Sequence, residues 1–400
     1  MKNFKNIAAG LPLPSVGYAD QPKIIVADDS AWVYTITTGD GEEGTKNTFV
    51  GVARSTDQGK TWSPLKRIDE SPFESSYSSL FKTEFGRIYC FYCLNIDGLR
   101  TQDDILEHDG TISHSPRFDM GFGIFCFRYS DDHGQTWSKR RYEIPMRDFA
   151  IDRQNPVIVR GKERRCFWNV SKPMAWQGIF YHAMNKIMYK DGHVIYSSQG
   201  ALLRSDNLLT ERNPEKIRWE TLPEGDAGIQ SPAGTLISEE HCFVPLSDGT
   251  IYGVFRTVDG KPGCSRSIDG GRHFTVGYQC FADGTPMRNP RAANFVWKCK
   301  NGKYLYWFHN TGIEQGEWKG RNPAWLCGGV ECPGKGGLTI KWSQPDIVLY
   351  SDNPEEGMSY PDLLEDRGKY YLSETQKTIT RLHEIPAAFV EALWESAEKA

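Results

Sequence analysis

The sequence lacks a marked excess of charge of one sign, long apolar runs and a signal-peptide pattern in its first residues. Its net charge is −4 over 400 residues, so its charge does not favour a nucleic-acid or acidic-membrane partner. No stretch of 18 apolar residues occurs, and the sequence therefore predicts no membrane-spanning helix. Residues 1–13 show neither a lysine-led apolar segment nor a small-residue cleavage site. This predicts a cytoplasmic protein, or a secreted one if a signal was removed.

Helical periodicity is nearly absent before Ala387, and alternating strand patterns recur instead from about residue 22 to residue 384. Examples are Lys23–Val26, His241–Pro245 and Lys369–Ser373. Turn pairs of Asp-Gly or Asn-Gly separate the strands. The tail, residues 387–400, carries Phe389, Leu393 and Trp394 on one helical face. With no linker in between, we expect an all-β domain over residues 1–386 and a helix over 387–400 packed on it.

The sequence also lacks a metal-binding motif. Its 10 cysteines are scattered. Cys90 and Cys93 have C-x-x-C spacing, but residues three apart on a strand face opposite sides of the sheet. Buried free thiols behave as small apolar groups. We therefore predict no cofactor and leave a structural Ca²⁺ ion open.

A short pattern occurs three times, at residues 55–62, 130–137 and 267–274, where it reads STDQGKTW, SDDHGQTW and SIDGGRHF. An Asp at a hairpin tip accepts hydrogen bonds from backbone N–H groups further along the turn. The Gly two residues later supplies a positive φ, and the final aromatic ring anchors the hairpin to its sheet. We therefore interpret these Asp residues as structural and not catalytic.

The form S-x-D-x-G-x-T-W resembles the Asp box of the sialidase (neuraminidase, BNR-repeat) superfamily. The resemblance implies an all-β fold, a β-propeller of four-stranded blades. Six blades are our choice from the resemblance, although the spacing of the boxes leaves seven open. It also implies that the chemistry lies where the inner strands and their loops meet at the central axis.

Four residues match the order of that family's site. Glu240 takes the place of the glutamate that activates the nucleophile, and Tyr360 that of the tyrosine nucleophile. Arg256 and Arg321 take the places of the second and third arginines that bind a substrate carboxylate. Such pairing is planar and bidentate. Arg288 and Arg291 are rival candidates, and His309 is a further candidate for substrate binding.

The sequence departs from the family in two places. The family's first arginine lies in an F-R-I-P-like motif, but the corresponding residues 18–23 read YADQPK. Lys23 is the available substitute, although a lysine lacks the planar fork of arginine. The acid–base residue of the family lies in the loop before the first Asp box. Here that loop offers Asp40, Glu42 and Glu43, and the sequence does not choose among them.

These matches predict an exo-acting glycoside hydrolase that removes a terminal acidic sugar, sialic acid-like or uronate-containing, from a glycan. The first alternative is a propeller-type uronate lyase acting on rhamnose–glucuronate caps by β-elimination. That reaction needs a base and a group that neutralises the carboxylate. The insertion after Asn95 offers such groups, together with Arg153: His108, His114, Arg117 and Asp119. The second alternative is a non-catalytic glycan-binding propeller.

Overall fold

The computed structural model describes residues 3–41, 43, 47–98, 122–154, 157–159, 162–189, 196–312 and 320–400. Within these ranges the strands form six antiparallel blades of four main strands each. The all-β propeller prediction is confirmed, with six blades and not seven.

The first three blades run from the inner strand outwards as follows. Blade 1 has β2 (Tyr18–Val26), β3 (Trp32–Gly39), β4 (Phe49–Ser55) and β5 (Lys66–Arg67). Blade 2 has β6 (Ser75–Lys82), β7 (Ile88–Leu94), β8 (Phe122–Ser130) and β9 (Tyr142–Glu143). Blade 3 has β11 (Lys162–Trp168), β13 (Ile179–Tyr189), β14 (Tyr196–Ser205) and β15 (Glu220–Leu222), with β10 (Val157–Val159) and β12 (Met174–Trp176) beside them.

The last three blades repeat the plan. Blade 4 has β16 (Glu239–Pro245), β17 (Ile251–Arg256), β18 (Gly263–Ser267) and β19 (Thr275–Tyr278). Blade 5 has β20 (Phe295–Lys298), β21 (Tyr304–Phe308), β22 (Ala324–Gly334) and β23 (Gly337–Trp342), with β24 (Asp346–Leu349) paired to β22. Blade 6 has β25 (Ser359–Asp366), β26 (Lys369–Thr375) and β27 (Thr380–Ile385), and β1 (Leu11–Pro12) is its outer strand. The N-terminal segment therefore completes the last blade.

Helices are short in the described residues. They are α1 (Ala150–Arg153), α2 (Ala387–Lys399) and two 3₁₀ turns, Ile7–Ala9 and Pro214–Lys216. Helix α2 buries Leu393 and Trp394, and the Trp394 indole N–H donates to the Tyr304 carbonyl at 2.7 Å. The predicted C-terminal helix is present and packs on blade 5. No helix in the described ranges has the length and apolarity to cross a membrane.

The Asp boxes hold the hairpins between the third and fourth strands of blades 1, 2 and 4. In the second box the buried Ser130 hydroxyl accepts from the Gly134 N–H at 2.8 Å and donates to Asp132 at 2.7 Å. Asp132 in turn accepts from the Thr136 N–H at 2.8 Å. Gly134 has φ +80°, a conformation that glycine adopts without strain. These contacts stay inside the turn, which supports a structural role.

We expect Ser130→Ala to lower the free energy of unfolding by about 1–2 kcal/mol, because the buried Gly134 N–H loses its acceptor. Urea-induced unfolding measures the change. Lys60→Ala, at an exposed position of the first box, serves as the control and should stay within about 0.5 kcal/mol of the parent protein. Equal stability of Ser130→Ala and the control would contradict the role assigned to this hydroxyl.

Candidate active site

Four of the inner strands are irregular close to their first residues. The pairing register shifts between Asp20 and Lys23 in β2, and equivalent shifts occur in β6, β16 and β25. Each shift contains one non-glycine residue with positive φ: Gln21 at 54°, Tyr77 at 54°, Glu240 at 58° and Tyr360 at 47°. Bulges and strained φ angles are concentrated at functional sites. The starts of the inner strands therefore form the candidate site.

Two of these bulged residues contact each other across the axis. The Tyr360 hydroxyl donates to Glu240 Oε1 at 2.8 Å, and the two residues are only 5% and 2% exposed. Burial, together with the charge of Glu240, holds the pKa of the Tyr360 phenol well above its usual value. Burial also raises the pKa of Glu240. Its carboxylate is therefore a stronger base than an exposed glutamate, and it already accepts the phenol proton in a hydrogen bond.

Arg256, at the end of β17, lies between two glutamates. Its Nη1 is 2.9 Å from Glu240 Oε2, and its Nη2 is 2.7 Å from Glu239 Oε1. Both carboxylates are buried. Burial disfavours ionisation of Glu239, but Arg256 and Arg291 outweigh this cost and hold its pKa below the usual value. Glu239 was not predicted as a site residue, although it directly precedes Glu240.

Two further arginines adjoin this cluster. Arg291 Nη2 lies 3.1 Å from Glu239 Oε1. Arg321 is buried, and its Nη1 donates to Ser359 Oγ at 2.8 Å while its Nη2 donates to the Arg291 carbonyl at 3.0 Å. Both therefore lie in the same cluster as Tyr360. Arg288, the other candidate from that segment, is exposed.

His309 is buried next to β21. Burial and the nearby charge of Arg321 lower its pKa to about 3, so its imidazole is neutral near pH 7. Its backbone N–H donates to Asn289 Oδ1 at 2.9 Å. The location of His309 near Arg321 is compatible with the predicted role in substrate binding.

A second charged group adjoins the tyrosine from blades 1 and 6. Lys377 Nζ lies 2.9 Å from Asp20 Oδ2, 3.4 Å from Glu43 Oε2 and 4.6 Å from the centre of the Tyr360 ring. Burial raises the pKa of Asp20, and the Tyr18 hydroxyl donates to it at 2.7 Å. Glu43 is thus connected to the site through Lys377. Asp40, from the same loop, is exposed at the end of β3.

Sequence reasoning missed Asp20 and Lys377. Asp20 precedes Gln21-Pro22 in the segment where the resemblance placed the family's first arginine, so an acidic residue and its lysine partner occupy this part of the site. Lys23, the suggested substitute, lies further along β2 and lines a separate cavity with Lys172 and Asp362. Only the unexpected polarity of the YADQPK segment could have indicated Asp20.

Several predicted residues lie outside the described residues, namely Glu42, His108, His114, Arg117 and Asp119. Arg153, which was grouped with them, ends helix α1 and pairs with exposed Asp226 at 2.9 Å. Within the described ranges, no group of three or more His, Cys, Asp or Glu side chains could hold a metal ion.

Comparison with known proteins agrees with this architecture. The family model described as BNR/Asp-box repeat matches residues 53–64 and 128–139. No curated protein matches the chain. These repeats and the six blades agree with a β-propeller that carries BNR/Asp-box repeats.

Solved structures of the same fold extend over nearly the whole chain. A protein of unknown function from Dyadobacter fermentans is 16% identical, with TM-score 0.64 and coverage of 94% of this chain and 97% of that one. The K499G mutant of NanB sialidase from Streptococcus pneumoniae is 12% identical, with TM-score 0.62 and coverages of 95% and 70%. The intramolecular trans-sialidase from Ruminococcus gnavus is 14% identical, with TM-score 0.58 and coverages of 96% and 98%. At these identities the likeness establishes the fold alone.

Proposed function

We propose that this protein is an exo-acting glycoside hydrolase that removes a terminal acidic sugar, with Tyr360 as nucleophile. The observation that carries the proposal is the 2.8 Å hydrogen bond from the buried Tyr360 hydroxyl to Glu240. A phenol has a reference pKa of about 10 and needs a partner to remove its proton before it attacks. Glu240 accepts a hydrogen bond from this phenol and is therefore placed to remove its proton. The sialidase-like fold supports glycoside hydrolysis as the reaction.

The proposed reaction proceeds in two steps. In the first, Tyr360 oxygen bonds to the anomeric carbon, its proton passes to Glu240, and the bond from that carbon to the leaving oxygen breaks. An acid from the loop after β3 protonates the leaving oxygen, and Glu43 is the better placed candidate because it pairs with Lys377. In the second step the loop acid, now a carboxylate, takes a proton from water as the water oxygen bonds to the anomeric carbon. The bond from that carbon to Tyr360 breaks, Glu240 returns its proton to the Tyr360 oxygen, and the free sugar is released.

The cluster of arginines supports an acidic substrate. Arg321 and Arg256 lie on the Tyr360 side of the site, and their charges attract a carboxylate next to the anomeric carbon. Asp20 and Glu239 supply negative charge in the same site. The sugar therefore meets a site of mixed charge, which favours one carboxylate held on the arginine side together with hydroxyl groups bound by the acidic residues.

The test is incubation with fluorogenic glycosides of sialic acid and of glucuronic acid. We expect release of the fluorophore from at least one acidic glycoside and none from the corresponding neutral glucoside. Chromatography identifies the free acidic sugar. Absorbance of an unsaturated uronate would instead indicate the lyase alternative, and binding without turnover would indicate a glycan-binding propeller. Either outcome would overturn the proposed hydrolase.

A further inference from the structure

A cavity lies between the inner strands of blades 1, 4, 5 and 6. It has a volume of about 220 Å³, and we call it the axial cavity. Its lining includes Lys23 on β2, Lys172 after β11 and Asp362 on β25. Lys23 and Asp362 follow the bulges of β2 and β25 along the chain, whereas Asp20 and Tyr360 lie before or in them. The axial cavity is therefore separate from the cluster around Tyr360.

Lys23 is the unusual residue of this cavity. Its side chain is 1% exposed, and its ammonium group lies 5.4 Å from the centre of the Phe295 ring. Within the described part of the chain, no acceptor lies within hydrogen-bonding distance of this ammonium, and no carboxylate lies within ion-pair distance. A buried amine without an acceptor is costly. The position therefore lacks the partner that a buried lysine ordinarily has.

The nearby carboxylate is already occupied. Asp362 Oδ2 is 2.7 Å from Lys172 Nζ and accepts the Ile24 N–H at 3.0 Å. Lys172 Nζ also donates to the Ile24 carbonyl at 2.6 Å. Asp362 attracts Lys23 only from a longer distance. Its single negative charge is thus shared by two lysines, and a positive charge remains in the axial cavity.

The remaining charges at the cavity do not remove this excess. Lys298 lies on the wall and donates to the Pro245 carbonyl at 3.0 Å. Glu365, on the same wall, accepts from the Lys300 N–H at 3.0 Å. Burial lowers the pKa of Lys23 to about 8, and the ammonium therefore stays mostly protonated near pH 7. Glu331 attracts the charge of Lys298, and Lys300 attracts that of Glu365. The positive charge that remains in excess is therefore that of Lys23 and Lys172 over Asp362.

We propose that the axial cavity binds a small oxyanion, with Lys23 as its principal ligand. The three donors of an ammonium group suit the oxygens of such an ion. A water molecule takes up roughly 30 Å³, so the cavity has room for an oxyanion together with water. Such an ion would supply the missing acceptor and neutralise the excess charge. The site is independent of the proposed hydrolase activity, and its test does not use that activity.

The test uses inorganic phosphate as the probe, with thermal unfolding followed at constant ionic strength maintained with potassium chloride. A ligand that binds only the native state raises Tm in a saturable way. We expect a rise of about 3–5 °C at a hundredfold excess over Kd. Phosphate also stabilises proteins generally by exclusion from their surface, and that effect grows with concentration without saturating. Isothermal titration calorimetry on the parent protein measures Kd directly.

The matched variants are Lys23→Met and Lys139→Met, the second at an exposed position. Lys23→Met keeps the unbranched apolar part of the side chain but removes the ammonium, and it should lose the saturable rise, whereas Lys139→Met should keep it. If Lys23→Met does not fold, Lys23→Gln replaces it. The proposal is overturned if the parent protein shows no saturable binding, or if the Lys23 variant binds phosphate as tightly as the parent.

Discussion

Tyr360→Phe is expected to lower kcat/KM for an acidic glycoside by about 10³-fold or more, because it removes the oxygen proposed to bond to the anomeric carbon. The ring that fills the bulge of β25 is kept, and only the hydroxyl that donates to Glu240 is lost. Loss of one such hydrogen bond should change the free energy of unfolding by about 1 kcal/mol. A large kinetic effect with a small effect on stability distinguishes a nucleophile from a structural tyrosine.

The matched control is Tyr252→Phe. Tyr252 is also buried, and its hydroxyl donates to Gln279 at 2.6 Å within blade 4. The Tyr252 hydroxyl also accepts from Trp342 Nε1 at 3.4 Å. Tyr252→Phe removes the same hydroxyl from a buried tyrosine outside the Tyr360 cluster, and the variant should retain nearly full activity. Steady-state kinetics and urea unfolding of both variants provide the comparison. If Tyr360→Phe keeps more than a tenth of the parent activity, Tyr360 is not the nucleophile.

Much of the fold could be predicted from the sequence because its signals are local. An Asp box specifies one hairpin through contacts within eight residues, and three copies separated by alternating strands indicate repeated blades. The helix over 387–400 could be predicted because its apolar spacing is regular. The blade count came from resemblance, since no local contact determines how many blades close a ring.

The strand starts at the site were harder to predict, and the reason is physical. The predicted strand Lys23–Val26 begins at Tyr18 in the structure, and His241–Pro245 begins at Glu239. In both strands a bulge adds a residue and breaks the alternation of period two, so the pattern is recognisable only beyond the bulge. The bulged residues include Glu240 and Tyr360. The period-two pattern of a strand therefore fails at the positions where the candidate site forms.

Charged partners from distant blades could not be predicted either. Lys377 meets Asp20 across a sequence separation of 357 residues, and no motif contains both. Arg256 was predicted from the resemblance, as the arginine at the end of a strand, but its contacts with Glu239 and Glu240 follow only from the geometry. The arginine that was expected to face substrate is therefore also the charge that stabilises a buried acidic pair.

Arg256→Met should lower the free energy of unfolding by about 3–5 kcal/mol near pH 7. The variant leaves Glu239 and Glu240 buried without the guanidinium that lies within 2.9 Å of both. Arg291 still contacts Glu239, but Glu240 keeps only the Tyr360 hydroxyl as a hydrogen-bond donor to its side chain among the contacts that the structure describes. Urea unfolding as a function of pH measures the effect.

The pH dependence of this loss follows from the two carboxyl groups. Glu239 has a lowered pKa in the parent protein, so its stabilising contribution is present above the unfolded pKa of about 4.3 and is lost as pH falls through the folded value. Glu240 has a raised pKa, so its contribution is present below the unfolded value and is lost as pH rises through the folded one. Without Arg256 both pKa values rise, so the deficit is largest where both carboxyl groups are ionised. It should shrink as the pH falls through the raised pKa values of the variant, and the loss should be complete below the lowered pKa of Glu239 in the parent protein.

Two controls separate this interpretation from a general loss of packing. Arg256→Met combined with Glu239→Gln removes one buried charge along with the arginine and should recover part of the lost stability. Arg140→Met breaks an exposed pair with Glu215 and should change the free energy of unfolding by less than about 1 kcal/mol. A deficit that is the same at every pH, or that the double variant does not reduce, would show that Arg256 stabilises the propeller by filling space and not by its charge.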